Sequence, residues 1–205
     1  MSKKNITLAI QNLNYLTRRF RKVNSPIFWI FLDENRLENY ENFISQIPSK
    51  IKAGIIFRIK NKKLRYNKAK RVLKMCKKRH FPFVVADDPQ LALTLGAYGT
   101  HLSKQVIYTR KYNKLKYSCS AHGYNDMRRI NNLKVKYTFI SPLFKTTSSK
   151  LKKPLGLILL GLVSEYISCK YGVLGGISLK NIRSLRSRNI NTLGGLSYIL
   201  EILEK

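Results

Sequence analysis

Two neighbouring carboxylates, Asp87 and Asp88, stand out as residues whose type and position could do chemistry. They directly follow the apolar segment Phe83–Ala86, and no other acidic residue occurs between Glu41 and Asp126. In proteins with parallel sheets, catalytic groups collect at the carboxyl ends of the strands. The sequence therefore predicts a functional position at the end of this strand.

Two glycine pairs near the end of the chain have the composition of phosphate-binding turns. Gly175 and Gly176 follow the predicted strand 172–174, and the pair Gly194–Gly195 follows the predicted strand 190–193. Glycine lets backbone N–H groups approach an oxyanion closely, and a helix N-terminus behind it adds positive potential. Both pairs are therefore candidate phosphate sites, although double glycines also occur simply as strand ends.

The loop 141–148 carries three neighbouring hydroxyl groups, those of Thr146, Thr147 and Ser148. Hydroxyl groups after a strand can donate hydrogen bonds to a diphosphate, and Lys145 adds positive charge. The alternative interpretation is an ordinary solvated turn.

His122 is the histidine that a catalytic interpretation favours. It follows the predicted strand 116–120, and imidazole is the side chain whose ordinary pKa suits proton transfer near neutral pH. The alternative is a solvent-exposed or structurally hydrogen-bonded histidine. His80, within the basic sequence KKRHF, is predicted to lie on the surface.

Short apolar segments alternate with helical patterns along the chain. The eight predicted strands are 27–32, 53–59, 81–86, 98–101, 116–120, 137–140, 172–174 and 190–193. Asn125 and Asp126 are predicted to cap the helix after the fifth strand, and Ser178 the helix after the seventh. The alternation predicts a (β/α)8 TIM barrel. A doubly wound open sheet is the alternative, but no GxGxxG motif opens a helix.

Length and composition are those of one globular domain. The chain has 205 residues, of which 44% are hydrophobic. A basic helical extension is predicted at 1–24 and a single barrel domain at 25–205. The longest apolar run, 155–163, is about half the length of a membrane helix, and residues 1–22 lack the apolar centre of a signal peptide. The three cysteines are far apart in sequence and predict ordinary reduced thiols, so we expect a cytoplasmic protein without membrane contact.

A formal net charge of +30 makes the chain strongly basic. Such a charge attracts nucleic acid through its phosphates. However, the basic residues of the segment 50–80 mostly occupy one side of an amphipathic helix, opposite Ala69, Val72 and Cys76. No zinc finger, RRM or KH signature is present. We therefore favour a solvated basic surface that attracts small phosphorylated substrates, and nucleic-acid binding is the alternative.

Taken in chain order, several segments resemble the thiamine phosphate synthase and TenI superfamily. They are Ile27–Glu34, Phe57–Lys60, Ala86–Asp87, Leu91–Leu102, Ser120–His122, Ser141–Ser148 and Leu174–Ile177. The segment Leu91–Leu102 closely resembles the family pattern LAL-x-x-GAdGvHL, and His101, which closes it, is expected to support the barrel mouth. The order and spacing of the segments, rather than any single one, carry the resemblance.

The resemblance implies a (β/α)8 barrel that joins an aminopyrimidine methyl diphosphate to a thiazole phosphate and releases pyrophosphate with Mg²⁺. Arg58 and Lys60 would contact the diphosphate and, with His122, form the candidate catalytic set. Asp87 would hold Mg²⁺. The candidate phosphate-binding residues are Arg58, Lys60, Thr146, Thr147, Ser148, Gly175, Gly176 and Gly194.

The sequence departs from the synthase pattern at several of these positions. Ile59 replaces a Glu, Ala86 replaces an Asn, and Ser103–Val106 stands where synthases have Gly-Gln-Glu-Asp, whose Asp is the second metal carboxylate. One carboxylate holds Mg²⁺ only when substrate phosphates complete the shell. The alternatives to full synthase activity are a TenI-like thiazole phosphate tautomerase without a metal, a non-catalytic binder of a thiamine intermediate, and the nucleic-acid binder. Each is compatible with a homo-oligomer.

Overall fold

The structure is a computed structural model that describes residues 26–34, 37, 39–48, 51–59, 61–106, 112–146, 153–178, 180–185 and 189–203. The predicted basic extension at 1–24 lies outside the described residues, so it stays a prediction.

Parallel strands close into a barrel in sequence order, with β1 hydrogen-bonded to both β2 and β8. Strands β1 to β8 span Phe28–Asp33, Ala53–Arg58, Phe83–Ala86, Gly99–Leu102, Lys116–Ala121, Tyr137–Ile140, Lys170–Leu174 and Thr192–Gly195. All the predicted strands and the predicted barrel are confirmed. The open-sheet alternative is wrong because the last strand pairs with the first.

Helices connect the strands on the outside of the barrel. Helices α1 to α6 span Tyr40–Gln46, Lys62–Lys78, Pro89–Thr94, Met127–Leu133, Gly156–Glu165 and Ser197–Leu203. A 3₁₀ turn at Tyr124–Asp126 precedes α4, and another at Ile182–Leu185 links β7 to β8. Within the described part of the chain, none of these helices has the length and apolar composition that a membrane crossing requires.

Two predicted helix caps differ from the structure. Ser178 precedes a 3₁₀ turn rather than an α-helix, because the Asn181 side chain accepts the Ser178 N–H at 2.9 Å and donates to the Gly176 carbonyl at 2.7 Å. Such side-chain bonds to the backbone compete with helix formation. Asp126 makes no capping hydrogen bond to α4, because its Oδ2 accepts the backbone N–H of His122 at 2.7 Å instead.

Side chains alternate across each strand and so separate two apolar clusters. In β1, Phe28, Ile30 and Leu32 pack outward against the helices, whereas Trp29 and Phe31 face the barrel axis. The inner cluster consists of Trp29, Phe31, Ile56, Val84, Ala86 and Phe139. Full burial of such a side chain contributes roughly 1.5–3 kcal/mol. Both faces of β1 therefore stabilise the barrel, which explains its unbroken apolar sequence.

Helix α2 buries the face that its amphipathic pattern predicts. Ala69, Val72 and Cys76 are fully buried, and Lys70 and Lys74 are exposed. Lys70 and Lys74 therefore lie on the solvated side of this helix, whereas Arg65 is mostly buried, with 15% of its side chain exposed.

Candidate functional site

A cavity of about 280 Å³ opens at the carboxyl ends of the strands, and residues at or just after every strand end line it. Of the residues predicted for the site, it is lined by Arg58, Asp87, His122, Thr146, Gly175, Gly176 and Gly194. Lys60, Thr147 and Ser148 lie outside the described residues. The barrel thus brings distant parts of the sequence into one pocket, while the role of each residue stays a prediction.

Side-chain alternation explains why residues of β1 and β2 meet in this cavity. Phe31 faces the barrel axis, so Asp33, two positions later, is directed to the same side. The same count from Ile56 places Arg58 on the inner side of β2, in register with Asp33. Neighbouring strands lie about 4.8 Å apart. A carboxylate and a guanidinium therefore enter the cavity side by side.

Gly175 and Gly176 form the turn after β7 with φ angles of 95° and 68°. A Cβ atom on Gly176 would lie 2.4 Å from the carbonyl oxygen of Lys145. The turn packs against the loop after β6, where the Phe144 N–H donates to the Gly175 carbonyl at 3.0 Å. Glycine is the residue that permits both the backbone angle and the close approach. The turn and Thr146 consequently share one wall of the cavity.

The floor of the cavity is aromatic and contains His101. The His101 ring lies edge-on to Phe31 and Phe139, with ring centroids 5.3 and 5.7 Å away. Its Nδ1 and Nε2 each lie 2.9 Å from a serine hydroxyl oxygen on β5. Burial, with smaller contributions from the charges of Arg58 and Arg129, lowers the pKa of His101 from 6.5 to about 3. His101 is thus a neutral packing residue at the barrel mouth, as predicted.

Gly194 has a packing reason for being glycine. It lines the cavity, and a Cβ atom there would lie 3.0 Å from the ring of Phe31. The absence of a side chain makes room for the aromatic floor, independently of any phosphate.

The two neighbouring carboxylates have different surroundings. Asp87 has a positive φ of 55°, which turns its side chain so that Oδ1 accepts the Ser103 N–H at 2.6 Å. Asp88 caps α3 by accepting the Leu91 N–H at 2.9 Å, and it lies 3.5 Å from the guanidinium of Arg65. Asp87 lines the cavity and Asp88 does not. Asp88 therefore stabilises the helix start rather than adding a second carboxylate to the site.

His122 is half-buried at the rim of the cavity. Its Nδ1 lies 2.7 Å from the carbonyl oxygen of Ser141. Because a carbonyl oxygen only accepts, Nδ1 carries the proton, and the neutral ring has its lone pair on Nε2.

A family profile described as thiamine monophosphate synthase matches residues 11–199. The chain belongs to the thiamine monophosphate synthase family. This match confirms the resemblance predicted from the sequence segments and links the protein to thiamine biosynthesis.

Individual members of the family match most of the chain. A protein named putative thiamine-phosphate synthase 2, from Aquifex aeolicus, is 27% identical over 170 residues, which are 78% of this chain and 91% of that protein. A thiamine-phosphate synthase from Prochlorococcus marinus is 27% identical over 207 residues, which are 95% of this chain but 57% of that longer protein.

Solved structures show the same barrel. A thiamine phosphate pyrophosphorylase from Pyrococcus furiosus has a TM-score of 0.70 at 18% identity and covers 86% of this chain and 95% of its own. The citrate synthase SbnG has a TM-score of 0.62 at 10% identity, covering 87% of this chain and 89% of its own. At these identities the likeness shows the fold alone, so the function has to be argued from the site.

The Mg²⁺ predicted for Asp87 has few possible ligands in this family member. The described residues contain no group of three His, Cys, Asp or Glu side chains that could hold a metal. Among the described residues, the lining has one other carboxylate, Asp33, which is separated from Asp87 by the strand that carries Arg58. Lys104 adds a second cation to the lining. Because Mg²⁺ needs several oxygen ligands, this donor set does not fit a metal held by the protein alone.

Asp33 and Lys104 were not predicted for the site from the sequence. Both line the cavity. Asp33 is the last residue of β1, and Lys104 lies two residues after the end of β4. Every second residue of a strand faces the same side, so continuing the inward-facing series of β1 from Phe31 would have indicated Asp33. The position of Lys104 depends on its loop, which has no periodic pattern.

Proposed function

We propose that this protein is a transferase of the thiamine phosphate synthase type. It joins the exocyclic carbon of an aminopyrimidine methyl diphosphate to the ring nitrogen of a thiazole phosphate and releases pyrophosphate. The observation that carries the proposal is a single cavity with two walls suited to anions. Arg58 lies at the end of β2, and the Gly175–Gly176 turn lies three strands away around the barrel, after β7. A reaction between two phosphorylated substrates requires two such walls.

The reaction separates charge between the two substrates. The C–O bond to the diphosphate breaks with its electron pair on the leaving pyrophosphate, and the thiazole nitrogen then donates a pair to form the C–N bond. The Arg58 guanidinium, exposed at the cavity, stabilises the growing negative charge. Asp33, at the end of β1, and Asp87, directly after β3, lie on either side of β2, and they stabilise the positive charge on the pyrimidine.

The second wall holds the thiazole phosphate. The Thr146 hydroxyl and the backbone of Gly175 and Gly176 line it, and a hydroxyl and backbone N–H groups are donors for phosphate oxygens. A phosphate fixed there orients the thiazole ring towards the aromatic floor and the pyrimidine.

Product formation tests the proposal. The full chain is incubated with both substrates and Mg²⁺, and thiamine phosphate is measured by liquid chromatography. Arg58→Ala is expected to lower kcat/KM on the order of 10²–10³-fold, as for the loss of one charge-stabilising donor. Arg71→Ala is the matched control, because Arg71 lies exposed on α2, 3.1 Å from Glu41. Absence of product from the parent protein contradicts the proposal.

A second candidate function, proton transfer on a thiazole phosphate, is favoured by the His122 contact alone. The hydrogen bond from Nδ1 to the Ser141 carbonyl puts the basic lone pair of the neutral ring on Nε2. This tautomerase activity needs neither the diphosphate nor a metal. Isomerisation of the thiazole phosphate in the presence of a chelator, lost in His122→Gln but retained in Arg58→Ala, would favour it over coupling. Binding of the thiazole phosphate without turnover would favour the remaining alternative, a non-catalytic protein that binds a thiamine intermediate.

The remaining expectations stay predictions. They are the Mg²⁺ cofactor, the cytoplasmic location, a homo-oligomer and the roles of Lys60, Thr147 and Ser148. Nucleic-acid binding is also untested, and it predicts an affinity for DNA or RNA that falls steeply as the salt concentration rises.

A further inference from the structure

A second cavity of about 300 Å³ adjoins the first at the ends of β2 to β5. The residues that line both cavities are Arg58, Ala86, Asp87, Ser103, Lys104 and His122. Among the charged residues of this set, Lys104 has no role in the chemistry described above. It lies in the loop after β4, with 58% of its side chain exposed.

The loop that carries Lys104 is tied to the barrel on both sides. Its Ser103 N–H donates to Asp87 at 2.6 Å. The Arg129 side chain, which is 12% exposed, donates from Nη1 to the carbonyl of Val106 at 3.1 Å and from Nη2 to a backbone carbonyl of β5. These bonds hold Lys104 at the boundary between the two cavities.

A buried carboxylate lies beside the Lys104 ammonium group but is shared with other donors. Asp126 Oδ1 lies 3.9 Å from Lys104 Nζ and 3.9 Å from Arg129 Nε, and Asp126 Oδ2 accepts the His122 N–H. One carboxylate faces two cationic side chains here, so their combined charge stays positive.

The described lining of the second cavity carries a positive charge. Arg58 and Lys104 contribute two cations against the single carboxylate of Asp87. Arg65 also lines the cavity, but it is paired with Asp88 at 3.5 Å and donates to a backbone carbonyl. Two cations at one site attract a multiply charged anion and repel a divalent cation.

We infer that the second cavity binds the diphosphate group through Lys104 and Arg58 without a divalent cation. The ammonium group of Lys104 supplies there the charge neutralisation that a metal ion would otherwise supply. This inference rests on the proposed function for the identity of the anion. It agrees with the donor set, which does not fit a metal held by the protein alone.

Binding of inorganic pyrophosphate to the full chain tests the inference. Isothermal titration calorimetry is carried out once with a chelator and once with excess Mg²⁺. The parent protein is expected to bind pyrophosphate in the chelator. Lys104→Ala is expected to weaken this binding about 10- to 100-fold, the loss for one charged hydrogen bond, and Lys104→Arg to retain most of it. Lys116→Ala is the matched control, because Lys116 is exposed at the opposite end of β5.

Several results would overturn the inference. One is pyrophosphate binding by the parent only when Mg²⁺ is present, and another is no binding in either condition. Equal affinities of Lys104→Ala and the parent in chelator would also overturn it. As a check on the sign of the charge, Lys104→Asp should bind more weakly than Lys104→Ala in chelator. The proposed function is judged separately, by thiamine phosphate formation in the presence of Mg²⁺, so either can fail alone.

Discussion

Mild acid is expected to destabilise the barrel through His101. The imidazole is 2% exposed, and both ring nitrogens are hydrogen-bonded to serine hydroxyls at 2.9 Å. Burial is the main reason that its pKa falls from 6.5 to about 3. The folded protein therefore keeps a neutral ring over a pH range in which the unfolded chain binds a proton.

The sign and size of the effect follow from this difference. The contribution of His101 to stability is fully present above pH 6.5 and is lost as the pH falls from 6.5 towards about 3, because the unfolded state takes up the proton. The limiting slope is about 1.4 kcal/mol per pH unit. Between about pH 7.5 and about pH 5, the free energy of unfolding should fall by about 2 kcal/mol through His101 alone.

Urea unfolding at these two pH values measures the effect on the parent and on His101→Gln. Glutamine has no charge to gain, so the variant should lack this part of the pH dependence whatever its absolute stability. His80→Asn is the matched control, because His80 is exposed and asparagine tolerates its φ of 55°. The pH dependence that comes from His101 should remain in that control. The same pH dependence in the parent and His101→Gln would refute the reasoning.

Three further substitutions test the packing that forms the site, each by urea unfolding. Gly176→Ala should be clearly less stable than Gly96→Ala, because both have similar positive φ angles but only Gly176 has a backbone oxygen 2.4 Å from the added Cβ; equal losses would contradict this. Arg129→Ala should cost about 3 kcal/mol, since it removes a partner of buried Asp126, and a loss under about 1 kcal/mol would count against that role. Thr192→Val should cost about 1–2 kcal/mol, because the Thr192 hydroxyl donates to the backbone carbonyls of the two residues just before β1 at 3.0 Å; unchanged stability would count against barrel closure by this contact.

Much of the fold could be predicted because it is encoded by neighbouring residues. The unbroken apolar run of β1 predicted a strand buried on both faces, and the spacing of apolar residues in α2 predicted its buried face. The alternation of such strands with helices along the chain predicted the barrel. The caps were predicted less well. The Asn181 side chain accepts the Ser178 N–H, and the Asp126 carboxylate accepts the His122 N–H rather than an N–H of its own helix. In both cases a side-chain hydrogen bond overrides the local preference for a helix cap.

Part of the candidate site could also be predicted from the sequence, and part could not. The positions of Arg58, His122 and the glycine turn after β7 follow from strand ends, and strand ends are visible in the sequence. The different roles of Asp87 and Asp88 are not visible in the sequence. Asp87 has a positive φ angle and Asp88 begins a helix, so the two adjacent carboxylates contact different partners.

The sequence by itself determined which segments become strands, which residues follow each strand and to which family the chain belongs, since these depend on composition and spacing along the chain. Only the tertiary structure decided which charges share a cavity. Lys104, Asp126 and Arg129 meet because β4 pairs with β5, which places the loops after these two strands side by side. Contacts between residues so far apart in sequence are set by strand register and loop anchoring, which no local pattern encodes.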